Sequence, residues 1–120
     1  MSGPAEHHSR PKQRRSPRFP FDSLVRVATH RLGEATPLWG RSTNLSCEGI
    51  GMTVMAGQLI PEELVGMEIA LPSAGSVSVK ASVRYCNEVR CGCEFVEMHD
   101  LQREAILSAC ERLRKAGRRG

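Results

Sequence analysis

From Val77 to Tyr85 the chain alternates without a break: Val77, Val79, Ala81, Val83 and Tyr85 fall on one side, and Ser78, Lys80, Ser82 and Arg84 on the other. A period of two is the geometry of an extended strand with one face on a core, and a helix could not bury those five side chains together. The same period recurs from Phe19 onward. Val25 and Val27 alternate with Arg26 and Ala28, which predicts a strand over 24–30. Leu38 and Trp39 ahead of Arg41-Ser42-Thr43-Asn44 predict a second over 36–43, and Ile50, Met52 and Val54 a third that starts after Gly49. Met67, Ile69 and Leu71 form a short fourth, bounded by Pro61-Glu62-Glu63 and Pro72. The long alternation is the fifth. Cys91, Cys93 and Phe95 mark one face of a sixth, joined to the fifth as an antiparallel hairpin by a turn at Asn87-Glu88.

The period becomes helical only at the end. Leu101, Ala105, Ile106, Ala109, Cys110 and Leu113 share one helical face, with Asp100 as the expected N-cap, a run to about Lys115 and Gly117 as the stop. Six short strands and one amphipathic helix predict an all-β dominated fold, a six-stranded antiparallel β-barrel with a C-terminal α-helix. A small closed barrel has no interior room for a helix, so the helix is expected on the outside or across a barrel mouth. With aromatics at 4% of 120 residues, the core must come from Val, Ile, Leu and Met. That length suits a single core. The division is then a flexible N-terminal tail over 1–18, the barrel and helix over 19–116, and a basic C-terminal tail over 117–120.

Charge follows the same division. The chain carries +4 overall, but residues 19–111 hold 7 basic and 12 acidic groups, a net of −5, so the positive charge belongs to the ends. An acidic body with two basic ends is not a basic-faced DNA-binding domain. No stretch reaches the roughly 18–20 apolar residues of a membrane span, and the N-terminus lacks a signal-peptide core, so the expected location is cytoplasmic. Five cysteines are an odd number, and free thiols in a reducing compartment explain them more simply than a disulfide framework.

Two segments stand out against this background. Arg14-Arg15-Ser16-Pro17-Arg18, at the junction of tail and barrel, concentrates guanidinium forks that grip phosphate oxygens in pairs. Alone, it reads first as a solvated basic linker. Asn44-Leu45-Ser46-Cys47-Glu48-Gly49 lies where the second strand gives way to the third. Asn44 and Ser46 can donate and accept hydrogen bonds, and Gly49 permits a positive φ or a close approach of a ligand to the backbone. Alone, this is the composition of an ordinary turn.

Together, in this order and ahead of a small β-rich domain with a terminal helix, the two segments resemble the PilZ domain family, bacterial receptors for the second messenger cyclic di-GMP. That family carries an RxxxR segment before the barrel, matched by Arg14 and Arg18 with Arg15 as an additional arginine. It also carries a (D/N)xSxxG segment, matched by Asn44, Ser46 and Gly49. Gly92-Cys93-Glu94-Phe95 is similar to the G-x-x-F stretch that closes the family's barrel, so the resemblance covers about 12–118. It implies a non-enzymatic receptor in which Arg14 and Arg18 hold phosphates and stack on guanine, with Arg15 assisting. Asn44 and Ser46 would contact the ligand from the barrel surface, and Gly49 would shape the turn. The family more often has Asp where Asn44 stands, and a neutral amide accepts more weakly from guanine N–H groups than a carboxylate does. Ordering of residues 1–18 over the barrel would change the surface seen by a downstream protein partner in motility, biofilm or exopolysaccharide control. No cofactor is implied.

Other features have plainer readings. Cys91-x-Cys93, with Cys86 nearby, lacks the spacing of a zinc knuckle and suits small buried apolar groups. His7, His8, His30 and His99 stand apart from any metal-binding or catalytic cluster, and no G-x-S-x-G elbow surrounds Ser46. Trp39 suits the core or the barrel rim. Arg84 is a weaker candidate for a ligand contact, and Arg112-Leu113-Arg114-Lys115 complements a helix C-terminus. The alternatives to a receptor are a protein-interaction adaptor on the same fold with weak or no nucleotide binding, and an RNA-binding β-barrel. The acidic body and the scarcity of aromatics count against the latter.

Overall fold

The computed structural model describes residues 16–31, 37–72 and 75–119. Seven antiparallel strands, β1 (Phe19–Pro20), β2 (Leu24–Ala28), β3 (Leu38–Leu45), β4 (Gly49–Ala56), β5 (Leu64–Leu71), β6 (Gly75–Asn87) and β7 (Arg90–Val96), precede one helix, α1 (Asp100–Arg119). Pairing runs β2–β3–β4–β7–β6–β5 and returns to β2, so six strands close a barrel with no free edge. The expected six-stranded barrel is therefore present, with β1 as an extra strand too short to leave a periodic signal.

β1 shares one edge of β3 with β2: Phe19 and Pro20 pair with Leu45 and Asn44, while β2 takes Leu38 to Arg41. The bend between them is held by Ser42. Its hydroxyl donates to the Phe21 carbonyl at 2.6 Å and accepts the Ser23 N–H at 2.8 Å. Ser42 is buried, and this exchange satisfies its hydroxyl. The bend thus carries the chain from the Arg18 segment into the barrel wall at a fixed place.

The inward face is the alternating set read from the sequence: Val25 and Val27, Ile50 and Met52, Met67 and Ile69, Val79, Ala81 and Val83, and Cys91, Cys93 and Phe95 are all buried. Tyr85 departs from that set. A bulge between Val83 and Tyr85 sets Arg84 and Tyr85 together on the outer face, leaving Tyr85 57% exposed. An extra residue shifts the parity of every side chain beyond it, which strict alternation cannot reveal.

The helix contacts β1 and β6. β1 is attached to β3, which stands opposite β6 in the ring, so α1 lies across one barrel mouth. Ile106, Ala109 and Cys110 are buried there, whereas Leu101, expected on the same face, is 75% exposed. The cap is also displaced by one residue. The His99 carbonyl accepts the Arg103 N–H, and the Gln102 side chain returns to the His99 N–H at 2.9 Å, one half of a capping box. Asp100 is instead the first helical residue and places its charge in the first turn. Gly117 does not end the helix, which continues to Arg119, beyond the expected limit at Lys115.

Candidate functional site

Two bulges build one row of outward-facing residues. The first lies between Ser42 and Asn44 in β3 and puts both Thr43 and Asn44 on the outer face while Leu45 turns in. The second is the β6 bulge that turns Tyr85 out. Register then aligns Asn44 with Gly51, Gly51 with Gly92, and Gly92 with Tyr85 across β3, β4, β7 and β6. The middle of this row carries no side chains. A Cβ on Gly51 would lie 2.8 Å from the Asn44 amide nitrogen, and one on Gly92 would lie 2.3 Å from the Tyr85 ring. Asn44 and Tyr85 therefore lie down on a glycine floor from opposite ends.

The N-terminal segment runs along the Asn44 end of this row. Arg18 donates from Nη1 to Asn44 Oδ1 at 2.6 Å, and Ser16 Oγ is 2.8 Å from Cys47 Sγ. The two sequence segments therefore meet, through their last and first defining residues. Arg14 and Arg15 lie outside the described residues, as does most of the expected tail reorganisation. Residues 16–18 are already on the barrel.

Ser46 and Gly49 build the turn. Ser46 is 2% exposed, and its hydroxyl accepts the N–H groups of Glu48 and Gly49, each at 3.1 Å. The Ser46 N–H donates to the Gly49 carbonyl at 2.9 Å. A serine hydroxyl used this way is a local mimic of backbone pairing. Gly49 has no positive φ; what excludes a side chain is β7, because a Cβ would sit 2.3 Å from the Cys93 carbonyl oxygen. The close approach expected there is thus made by a neighbouring strand, which locks the turn against β7.

Ser16, Arg18, Ser46, Glu48, Tyr85 and Glu94 are among the residues lining a shallow cavity of about 240 Å³, with Arg84 at its side. Arg84 pairs with Glu94 at 3.5 Å, both half-exposed, so the guanidinium is held loosely at the wall. The cavity combines two guanidinium groups, Arg18 and Arg84, with an exposed phenol ring and two carboxylates, Glu48 and Glu94, and Asn44 is joined to it through Arg18. The guanidinium groups suit an anion and the ring a flat aromatic part, while Glu94 is already paired with Arg84. Tyr85 was missed from the sequence because it read as core. The available signal was the pair of glycines at outward positions of β4 and β7, which have no purpose in a strand unless something approaches closely.

A larger cavity, about 450 Å³, lies between Pro72 and the helix residues Leu101, Glu104, Ala105, Ser108, Ala109 and Arg112, and includes none of the motif residues. Among the described residues, no group of three or more His, Cys, Asp or Glu is placed to hold a metal ion. Burial pushes the thiols of Cys91 and Cys93 up to about 12, which keeps them neutral and suits the packing role read for them. No helix among the described residues is long and apolar enough to cross a membrane.

The family model for the PilZ domain matches residues 12–112. The chain belongs to the PilZ domain family. Among solved structures, the PilZ domain of YcgR from Escherichia coli, determined with c-di-GMP, superposes with a TM-score of 0.73 at 14% identity, covering 89% of this chain and 95% of that one. The PilZ domain of CeSA from a cellulose-synthesizing bacterium gives 0.62 at 17% identity over 77% and 92%. The Bacillus subtilis inhibitor of motility, MotI/DgrA, gives 0.68 at 20% identity over 88% of this chain and 52% of its own. At these identities the likeness is one of fold. No curated protein sequence matches the chain.

Proposed function

We propose that the chain is a non-catalytic receptor for cyclic di-GMP, held by Arg14, Arg15, Arg18 and Asn44 over a turn built by Ser46 and Gly49. The observation that carries this reading is the hydrogen bond from Arg18 to Asn44, which joins the two motif segments on the barrel surface. The ligand is a dianion with two flat purines. Arginine answers both features, pairing with phosphate and offering a stacking plane. The Asn44 amide matches the donor and acceptor edge of a guanine, and the Tyr85 ring adds a second flat face at the far end of the glycine row.

Ser46 acts in this reading through the turn, since its hydroxyl is occupied by two N–H groups. Binding draws Arg14, Arg15 and the residues before them over the site, where Ser16 and Arg18 are already seated, and changes the surface presented to a cytoplasmic protein partner. The test is calorimetric titration with cyclic di-GMP at fixed salt. A dissociation constant in the micromolar range or below, lost on mutation of Arg14 or Arg18, supports the receptor. One above about 100 μM, equivalent to only about 5.5 kcal/mol, favours the adaptor on the same fold. That second reading has its own observation: two carboxylates, Glu48 and Glu94, line the cavity that a dianion would enter.

A further inference from the structure

Cys86 and Cys91 face one another across the β6–β7 hairpin. They are direct register partners, their Sγ atoms are 2.7 Å apart, and neither is in a disulfide. The hairpin turn fixes the kind of pair they make. Asn87 pairs with Arg90 around the two-residue turn Glu88-Val89. By the alternation of an antiparallel ladder, the next pair out is the closer kind, without hydrogen bonds and with Cα atoms about 4.5 Å apart. Disulfides span Cα separations of about 4.4 to 6.8 Å, so the strands need not move to join the sulfurs.

The two thiols differ in access. Cys91 is buried beside Met52, its partner in β4, whereas Cys86 is half-buried at the barrel wall. The other three cysteines have no cysteine as a register partner: Cys93 pairs with Val83, while Cys47 in the β3–β4 turn and Cys110 in the helix interact with one another without a strand register to align them. We infer that Cys86 and Cys91 form a dithiol site that a small soluble disulfide oxidises to a cross-strand bond.

The chemistry balances in two exchanges. Cys86, the accessible sulfur, attacks one sulfur of the small disulfide, breaking its S–S bond and releasing one thiol that takes up the Cys86 proton. Cys91 then attacks the Cys86 sulfur, forming the Cys86–Cys91 bond and expelling the second small thiol, which takes up the Cys91 proton. The two protein thiols are oxidised and the small disulfide is reduced to two thiols. Burial keeps Cys91 protonated until its proton leaves with the second exchange, which is intramolecular and aligned by the register. The bond lies beside the proposed site: Tyr85 precedes Cys86 and Gly92 follows Cys91.

The test uses the reduced full chain, oxidised glutathione as the probe, alkylation of remaining thiols and peptide mass mapping, with no nucleotide present. The inference therefore stands or falls independently of cyclic di-GMP binding. The expected result is one linked pair, Cys86 to Cys91, reversed by a dithiol reductant, with Cys47, Cys93 and Cys110 alkylated. Cys86→Ser abolishes the link, and Cys91→Ala stops the reaction at a glutathione adduct on Cys86. If Cys91→Ala does not fold, the wild-type and Cys86→Ser maps decide. A wild-type chain that keeps both thiols alkylatable, accumulates a stable adduct on Cys86, or links a different pair overturns the inference.

Discussion

Arg18 reaches Asn44 across 26 positions of sequence and bonds it at 2.6 Å, bringing the end of the arginine segment to the start of the turn segment. Both groups are at the surface, so the bond itself adds little stability. Its value is positional. Arg18→Ala is predicted to weaken cyclic di-GMP binding at least tenfold, about 1.4 kcal/mol. The unfolding free energy should change by less than about 1 kcal/mol. Calorimetry and urea titration of the same preparation separate the two effects, and an unchanged affinity removes Arg18 from the site.

Ser46→Ala is predicted to act through folding. The substitution removes the acceptor for two N–H groups, one of them buried, and an unsatisfied buried donor costs roughly 1–3 kcal/mol. Urea midpoints should fall accordingly. Wild-type stability in this variant would mean that the turn is held by something other than the hydroxyl.

Two glycines in strands provide a matched contrast. Gly49→Ala drives a Cβ against the Cys93 carbonyl and should destabilise by about 1–3 kcal/mol, as overpacking does. Gly66→Ala meets nothing within 4 Å and has no positive φ, so it should be neutral or gain up to about 1 kcal/mol from a stiffer unfolded chain. Thermal unfolding of the pair checks the sign of each.

Glu88 sits in the β6–β7 turn with φ 61, a left-handed conformation that strains an L-residue by roughly 1–2 kcal/mol. Glu88→Gly is therefore predicted to stabilise the chain by about 1 kcal/mol, because this is the position where hairpin turns select glycine. A loss of stability would show that the Glu88 side chain contributes a contact that outweighs the strain.

Tyr85 supplies the second stacking face in the proposed site. Tyr85→Ala should lower ligand affinity by about 1–3 kcal/mol, the range for a base on an aromatic ring, and Tyr85→Phe should keep it. Equal losses in the two variants would assign the effect to the hydroxyl rather than the ring.

Most of the barrel could be read from alternation, because burying one face of a strand writes a period of two directly into the sequence. The failures occur where that period breaks. Tyr85 read as core because a bulge leaves no mark in composition, although the same device in β3 is what turns Asn44 outward. Leu101 read as buried because a helical repeat does not say where the packed surface ends: the first turn of α1 is tied to β6 by Gln102, which donates to the Ser78 carbonyl, and Leu101 is left exposed. Gly117 read as a stop, yet a glycine in a terminal turn is only a modest local penalty, and the helix runs through it. For the candidate site, the Arg18–Asn44 contact joins the two segments that the sequence singled out, whereas the reason for Gly49 was not legible. Only the register of β4 against β7 shows that a carbonyl of the next strand occupies the space.

The central claim is that one cyclic nucleotide engages the arginine segment and the Asn44–Gly49 turn together. Amide NMR of the full chain during a cyclic di-GMP titration tests it most directly. The account predicts simultaneous shifts at Arg14, Arg15 and Arg18, at residues 44–49 and at Gly92, saturating with one affinity. Shifts confined to either segment, or none at saturating ligand, would contradict it.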